Sequence, residues 1–425
     1  MFKKLFSKNK TQPQSIQKQE RDPERYEVER ETARSQNAKD RLKLAQNPQT
    51  HLEILYYLAD DQDTKVRRAV ASNPATPVHV SEILANDDDT DVKLALIKRL
   101  VALLPDLSKD QYAHLYAFSV QALGILALDE VLKVRLALSS ALRDETYAPP
   151  EVVNQLARDL ERRVSEPILK FCTAVTDEAL IDILIQHPDD WVIDTIAGRS
   201  GVSGSVSKAV FETKNVKAGR TLIENKSAEI DDETLDLIID LARETPEWHK
   251  PLAIQSHLPS RVIKNILAFV DKSIQSLIFA RTDLDDLTRK DLINTVDRRV
   301  NFLVDEKGNK ITAEQKVLSL TKAGQLNDDA VRDALALREY DVVYYALVAK
   351  SKLTLPTVKK MIDTQSAKAV TAVVWKAGLE MRTALEIQKT IAKIQPRDML
   401  YPRNGNEFPL SESDMKFQID FFAGD

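Results

Sequence analysis

The stretch Asp61 to Val70, DQDTKVRRAV, returns 26 residues later as Asp87 to Leu96, DDDTDVKLAL. Both copies hold an aspartate five residues ahead of a valine with a base directly after it, and Asn47-Pro48 recurs as Asn73-Pro74 over the same 26-residue shift. Self-similarity at a fixed period of this length marks a chain built from repeated supersecondary units. A third copy, DEVLKVRLAL, begins at Asp129, 42 residues after the second, and predicts one additional helix between them.

Each copy reads as the start of a helix. Asp61, Asp87 and Asp129 stand where a carboxylate accepts orphan amide hydrogens and faces the positive end of the macrodipole, so they are read as caps. Val66, Ala69 and Val70 then share one face at i, i+3 and i+4, and Arg67 and Arg68 leave it. Asn73-Pro74 ends the helix, because the residue before proline avoids helical backbone angles. Thr76-Pro77 opens the next as N-cap and first-turn proline, leading into Val78, Val80, Ile83 and Leu84. A pair of such short helices cannot bury its apolar stripe alone, so neighbouring pairs must stack. The expected fold is all-α, an α-solenoid of stacked short helix pairs. Glycine agrees: only 10 of 425 residues are Gly, about a third of the usual share of about 7%.

Four segments follow along the chain. Residues 1–41 are polar, without a sustained apolar period, and read as a disordered basic arm that can turn helical from about Glu20; residues 42–300 read as the repeat array. Residues 301–400 continue it, with FLVDEKGNKIT (Phe302 to Thr312) as a strand pair around Gly308 or a long loop. Residues 401–425 form a tail in which Leu410-Ser411-Glu412-Ser413-Asp414 caps a short terminal helix carrying Met415, Ile419 and Phe422 on one face. At the other end, Phe2, Lys3, Lys4, Leu5, Phe6 and Lys8 form a small basic, apolar tip suited to weak contact with an anionic membrane.

Beyond period and spacing, NPATPVHVSEIL followed by DxxxxVRxAV resembles HEAT-like and leucine-rich-repeat-variant proteins. LRDETYAPPEVVNQLARDL, FCTAVTDEALIDIL and AIQSHLPSRVIKNIL together resemble a bacterial family of unknown function with HEAT-like helical repeats. That resemblance implies a HEAT-like array whose Asp and Arg form ladders along the turns, and it transfers no catalytic residue. Some leucine-rich-repeat-variant proteins carry an N-terminal cysteine cluster, absent here.

Several chemistries are excluded or unsupported. Cys172, the single cysteine, rules out an internal disulfide framework and, in an apolar run, reads as a buried thiol. The six histidines are scattered without an i,i+4 partner, so no metal site and no cofactor are expected. Phosphate loops, helix-borne zinc motifs and nucleophile elbows are missing, so no catalytic residue is assigned and the chain is expected not to be an enzyme. Asp87-Asp88-Asp89-Thr90-Asp91 lacks the glycine and terminal glutamate of a calcium loop. With 60 basic and 65 acidic residues, a formal charge of −5 offers no global field for nucleic acid. Gln111 to Leu128 is uncharged but reads as buried helices, and Met1 to Lys10 is not a secretory signal, so a cytoplasmic location is expected.

The leading expectation is a non-catalytic scaffold that binds a protein or peptide, with Arg67, Arg68, Lys93, Arg135 and Trp191 as candidate contacts. Two alternatives stand beside it. One is an enzyme of the HEAT-like DNA glycosylase or lyase kind, for which Trp191 beside Asp189, Asp190 and Asp194 is the lead. The other is a peripheral membrane adaptor using the N-terminal tip.

Overall fold

The computed structural model describes residues 22–107, 113–255, 258–300, 302–303 and 310–424. Those residues form α-helices and short 3-10 turns without a β-strand, and one isolated bridge joins Arg403 to Glu407. The fold is all-α. The chain divides into two compact units, Met1–Ile238 and Ile239–Asp425.

The first unit contains α1 (Pro23–Ala33), α2 (Ala38–Gln46), α3 (Leu52–Leu58), α4 (Thr64–Ser72), α5 (Ser81–Ala85), α6 (Thr90–Leu107) and α7 (Ala113–Ala127). It continues with α8 (Leu132–Leu142), α9 (Pro150–Ala157), α10 (Arg162–Phe171), α11 (Asp177–Gln186), α12 (Asp190–Ala197), α13 (Gly204–Glu212) and α14 (Val216–Glu224). The even-numbered helices from α2 to α14 form one row, each packed on the next. Beside it α1 packs on α3, α5 on α7, α7 on α9, and α11 on α13. Helix α4 shows why: Val66, Val70 and Ala71 are buried on one face, and the Asp63 side chain accepts the Lys65 amide to start the helix.

Four expectations need correction. Asp61 is not the cap of α4, since Asp63 takes that role, and Asp89 likewise serves α6 through the Asp91 and Val92 amides. Thr76 does not open a helix; its hydroxyl donates to the Val70 carbonyl at 2.6 Å and closes α4, while Pro77 precedes a 3-10 turn over Val78–Val80. The 42-residue spacing adds no helix among the described residues, because α6 and α7 are themselves 18 and 15 residues long. Residues 22–41 hold α1 and the start of α2, so the helix expected from about Glu20 is there and a disordered arm assigned as far as residue 41 runs too long. Glu29 fixes α1 by accepting both the backbone amide and Nδ1 of His51 at 2.9 Å each.

A chain of polar caps runs through this unit at the ends of the even helices. The Asn73 amide donates to the Ala45 and Asn47 carbonyls at 2.7 and 3.0 Å, one repeat back. Twenty-six residues on, Arg99 does the same with the Thr76 carbonyl at 3.1 Å and the Ser81 hydroxyl at 2.8 Å. Burial pulls its guanidinium down to about 10. Arg199 reaches the Cys172 carbonyl at 2.8 Å, and Asn225 reaches Ala197 and Arg199 at 3.0 and 2.7 Å. Helix C-terminal carbonyls lack intrahelical partners, and at α2, α10 and α12 a residue of the following repeat supplies them.

Helix α15 (Asp232–Ala242) contains the boundary between the units. The second unit continues with α16 (His249–Ile254), α17 (Ser260–Ile266), α18 (Lys272–Phe279), α19 (Asp286–Val300), α20 (Ala313–Lys322) and α21 (Asp328–Ala336). It ends with α22 (Tyr340–Ser351), α23 (Leu355–Asp363), α24 (Ala367–Lys376), α25 (Met381–Thr390) and α26 (Glu412–Ala423). Helix α24 lies at the centre of a core that includes Val370, Val373, Met381 and Ile387. Ser411 caps α26, as the sequence indicates, and Met415, Ile419 and Phe422 bury its face against α23 and α24. Between Leu303 and Ile311 one backbone bond of 3.1 Å closes the expected hairpin or loop, and residues 304–309 lie outside the described set.

Candidate interaction surface

The repeated acid and base form a ladder. Nε of Arg67 donates to Oδ2 of Asp87 at 2.6 Å and Nη2 to Oδ1 at 3.0 Å, while Nη1 donates to the Asp61 carbonyl at 2.8 Å. Arg41 pairs with Asp61 at 2.6 and 2.9 Å, and Arg135 with Asp159 at 2.6 Å. Lys93 completes the series with a single bond of 2.7 Å to Asp129. Every acid also accepts an amide two residues on, from Asp63, Asp89, Val131 or Glu161. Burial pushes the Asp61 carboxyl up, but the Arg41 and Asp63 bonds outweigh it and hold the group below its ordinary range.

Among the candidate contacts, then, Arg67, Lys93 and Arg135 are engaged inside the chain, their side chains 19%, 14% and 21% exposed. Arg68 points outward, 60% exposed and 3.6 Å from Asp91. Trp191 is half-buried under the Arg162 guanidinium, 4.8 Å from the ring centre. Two of its three acidic neighbours are tied to the next repeat: Asp190 accepts from Asn215 at 2.6 Å, and Asp194 from Lys217 and Thr221 at 2.7 Å each. The membrane-tip residues, Phe2 to Lys8, lie outside the described residues. Burial pushes the Cys172 thiol up, which leaves it a poor nucleophile.

The surface that sequence reasoning missed is aromatic. Tyr56 of α3 and Phe118 of α7 are 50% and 40% exposed. The His79 ring stands between them, 5.8 Å from Tyr56 and 6.5 Å from Phe118 between centroids. Three ring-bearing side chains, from α3, from the 3-10 turn ahead of α5 and from α7, thus line up on the odd-numbered side. Their sequence separations, 23 and 39 residues, share no period, so only the packing brings them together. Among the described residues no group of three or more His, Cys, Asp or Glu side chains is placed to hold a metal ion, and no helix is long and apolar enough to cross a membrane.

Residues 164–407 match a family described as an uncharacterised protein conserved in bacteria (DUF2336). The chain belongs to that family. The match begins within α10, so the acid–base ladder and the aromatic row both precede it, while most of the second unit falls inside it. No curated protein matches the chain. Among solved structures, the crystal structure of an engineered protein from a structural genomics consortium is similar over 93% of this chain and 97% of its own, at 14% identity and a TM-score of 0.21. A score that low carries no argument about the fold.

Proposed function

We propose that this family member is a HEAT-like solenoid scaffold without catalytic activity, acting in the cytoplasm and binding a protein or peptide through the odd-numbered side of its first unit. The row of Tyr56, His79 and Phe118 carries the reading. Aromatic side chains that present an apolar body and remain half-exposed are the groups that dominate protein interfaces. Stacked helix pairs supply the extended surface on which such a row is useful. The ladder supports it differently, by holding successive helices in fixed register so that the rings keep their spacing. A glycosylase-like reading gains little from Trp191, since Asp190 and Asp194 beside it are paired with Asn215, Lys217 and Thr221.

The test compares the parent chain with a Tyr56→Ser/Phe118→Ser variant. Both are exposed, so the melting temperature should hold. Proteins captured from a lysate of the source bacterium are quantified by mass spectrometry, and at least one should disappear with the variant and bind the purified parent directly. An unchanged set of captured proteins would defeat the proposal for this surface.

A further inference from the structure

The elements that carry the aromatic row also carry a one-sided charge. Helix α3, the 3-10 turn over Val78–Val80, α5 and α7 together hold two acids, Glu53 and Glu82, and no Lys or Arg. Both acids are exposed. Each stands three residues from a ring of the row, Glu53 from Tyr56 and Glu82 from His79, a spacing that puts two side chains on one face. Tyr57 and Ile83, 57% and 41% exposed, add apolar surface on the same two elements. An occupant of this face should be apolar at its tip and basic around it.

A stretch of that description lies in the chain itself. Met1 to Gln19 holds Lys3, Lys4, Lys8, Lys10 and Lys18 and no acid. Phe2, Leu5 and Phe6 stand at i, i+3 and i+4, the spacing with which one helical turn offers three apolar side chains to a groove. Those residues lie outside the described set, but the place they depart from is fixed. Helix α1 starts at Pro23 beside α3: the Tyr26 ring is edge-on to His51 at 5.4 Å between centroids, and His51 directly precedes α3. Tyr56 lies five residues further on, ~7.5 Å along the helix. His79 follows at 5.8 Å and Phe118 at 6.5 Å beyond it. The 16 residues between Phe6 and Pro23 can span up to roughly 50 Å. That length reaches every ring of the row.

We propose that Phe2 to Lys10 docks on the Tyr56, His79 and Phe118 row and competes with the partner for it. The apolar side chains lie against the rings, and the lysines face Glu53 and Glu82. This rests on the row being the contact surface proposed above. Tethering supplies the strength. A segment joined to its own site acts at an effective concentration on the order of ~1 mM, so a contact with a Kd of only about 100 μM still leaves the row mostly covered. Salt, which screens exposed charges beyond about 10 Å at 0.1 M, should loosen the cover.

The contact is tested by zero-length carbodiimide coupling of the full chain, in an equal mixture of isotope-labelled and unlabelled protein. Mass spectrometry should find Lys3, Lys4 or Lys8 joined to Glu53 or Glu82 within one chain, and Tyr56→Ser/Phe118→Ser should remove most of those links. Links found only between labelled and unlabelled chains would assign the segment to a second copy and overturn the proposal. In parallel, a fluorescent peptide of Met1 to Gln12 is titrated by anisotropy against the parent and against a full chain carrying Phe2→Ser, Leu5→Ser and Phe6→Ser. The peptide should bind the substituted chain about tenfold more tightly, because the parent's row is already covered. Melting temperatures confirm that the variants fold. Equal affinities for the two chains, binding to neither, or links within one chain that ignore the row substitutions would each overturn the cover. Should that happen while lysate capture still depends on the row, the partner-binding reading survives alone; should the cover hold while the row captures nothing, that reading fails and the cover stands.

Discussion

Replacing Arg67 with methionine should damage the first unit far more than the same change one residue later. The substitution removes two bonds to Asp87, at 2.6 and 3.0 Å, and one to the Asp61 carbonyl at 2.8 Å. Hydrogen bonds to a charged group contribute about 1.5–3 kcal/mol net where both partners are buried. Two effects reduce the sum. The Arg67 side chain is 19% exposed and so retains some hydration, and Asp87 keeps its 2.8 Å bond from the Asp89 amide and is not stranded. Methionine also preserves the packing of the aliphatic stem. The expected cost is about 2–3 kcal/mol, or roughly a 30- to 150-fold shift in the opening equilibrium. Arg68→Met, at a side chain 60% exposed and 3.6 Å from its partner, should cost less than about 0.5 kcal/mol. Because the chain has two units, global unfolding is not a two-state measurement. Native-state hydrogen exchange of amides in α4 and α6, followed by mass spectrometry, reads the local opening instead. A double-mutant cycle with Asp87→Ala should return a coupling of at least about 1 kcal/mol. Equal protection in Arg67→Met and Arg68→Met would refute the idea that rungs, rather than surface charge, hold the helices together.

Acid should weaken the first rung: the Asp61 carboxyl is held below its ordinary value of 3.8, so its stabilisation is present above that pH and disappears as pH falls through the lower folded value, an effect visible as loss of exchange protection in α2 and α4. Lys352 ends α22 in a left-handed conformation, φ 62°. Lys352→Gly relieves that strain at a smaller entropic cost and should raise the local opening free energy of α22 by about 0.5–1 kcal/mol, read from native-state hydrogen exchange of its amides; a loss of protection would contradict it. Truncation after Pro409 uncovers the surface under Met415, Ile419 and Phe422, each worth about 1.5–3 kcal/mol when buried, and should lower the melting temperature and promote aggregation. Phe417→Ser, at a residue 65% exposed, should leave the melting temperature unchanged, so equal effects of the two changes would disprove the covering role of α26.

The sequence disclosed what depends on local pattern. Repetition of the aspartate and the valine–base pair located α4, α6 and α8, and a serine followed by acids located α26. Assignments failed where local chemistry had two outlets. Asp61 and Asp63 both suit a helix start, and only the position of Arg41 on a neighbouring helix decides which acid caps and which forms a rung. Helix α1 was legible only as a helical tendency from about Glu20 and not as a docked element, because it has almost no apolar face: Glu29 and Ala33 are its buried residues, and it is held by a polar contact to His51 that no periodicity reveals.

The ladder measures its spacing by side chains rather than by counting residues. Regular rungs join residues 20 apart, Arg41 to Asp61 and Arg67 to Asp87, whereas Lys93 reaches Asp129 across 36. At the regular steps a rigid guanidinium fork holds the acid and a carbonyl together; at the long step a flexible ammonium makes one bond and tolerates whatever offset the longer helices impose. Most of the extra length is thus absorbed at one joint, since Arg135 again holds an acid, Asp159, together with the Asp129 carbonyl, over 24 residues. Segments grafted between α6 and α7 should therefore be carried by the same compliant rung, which already spans more residues than those on either side of it.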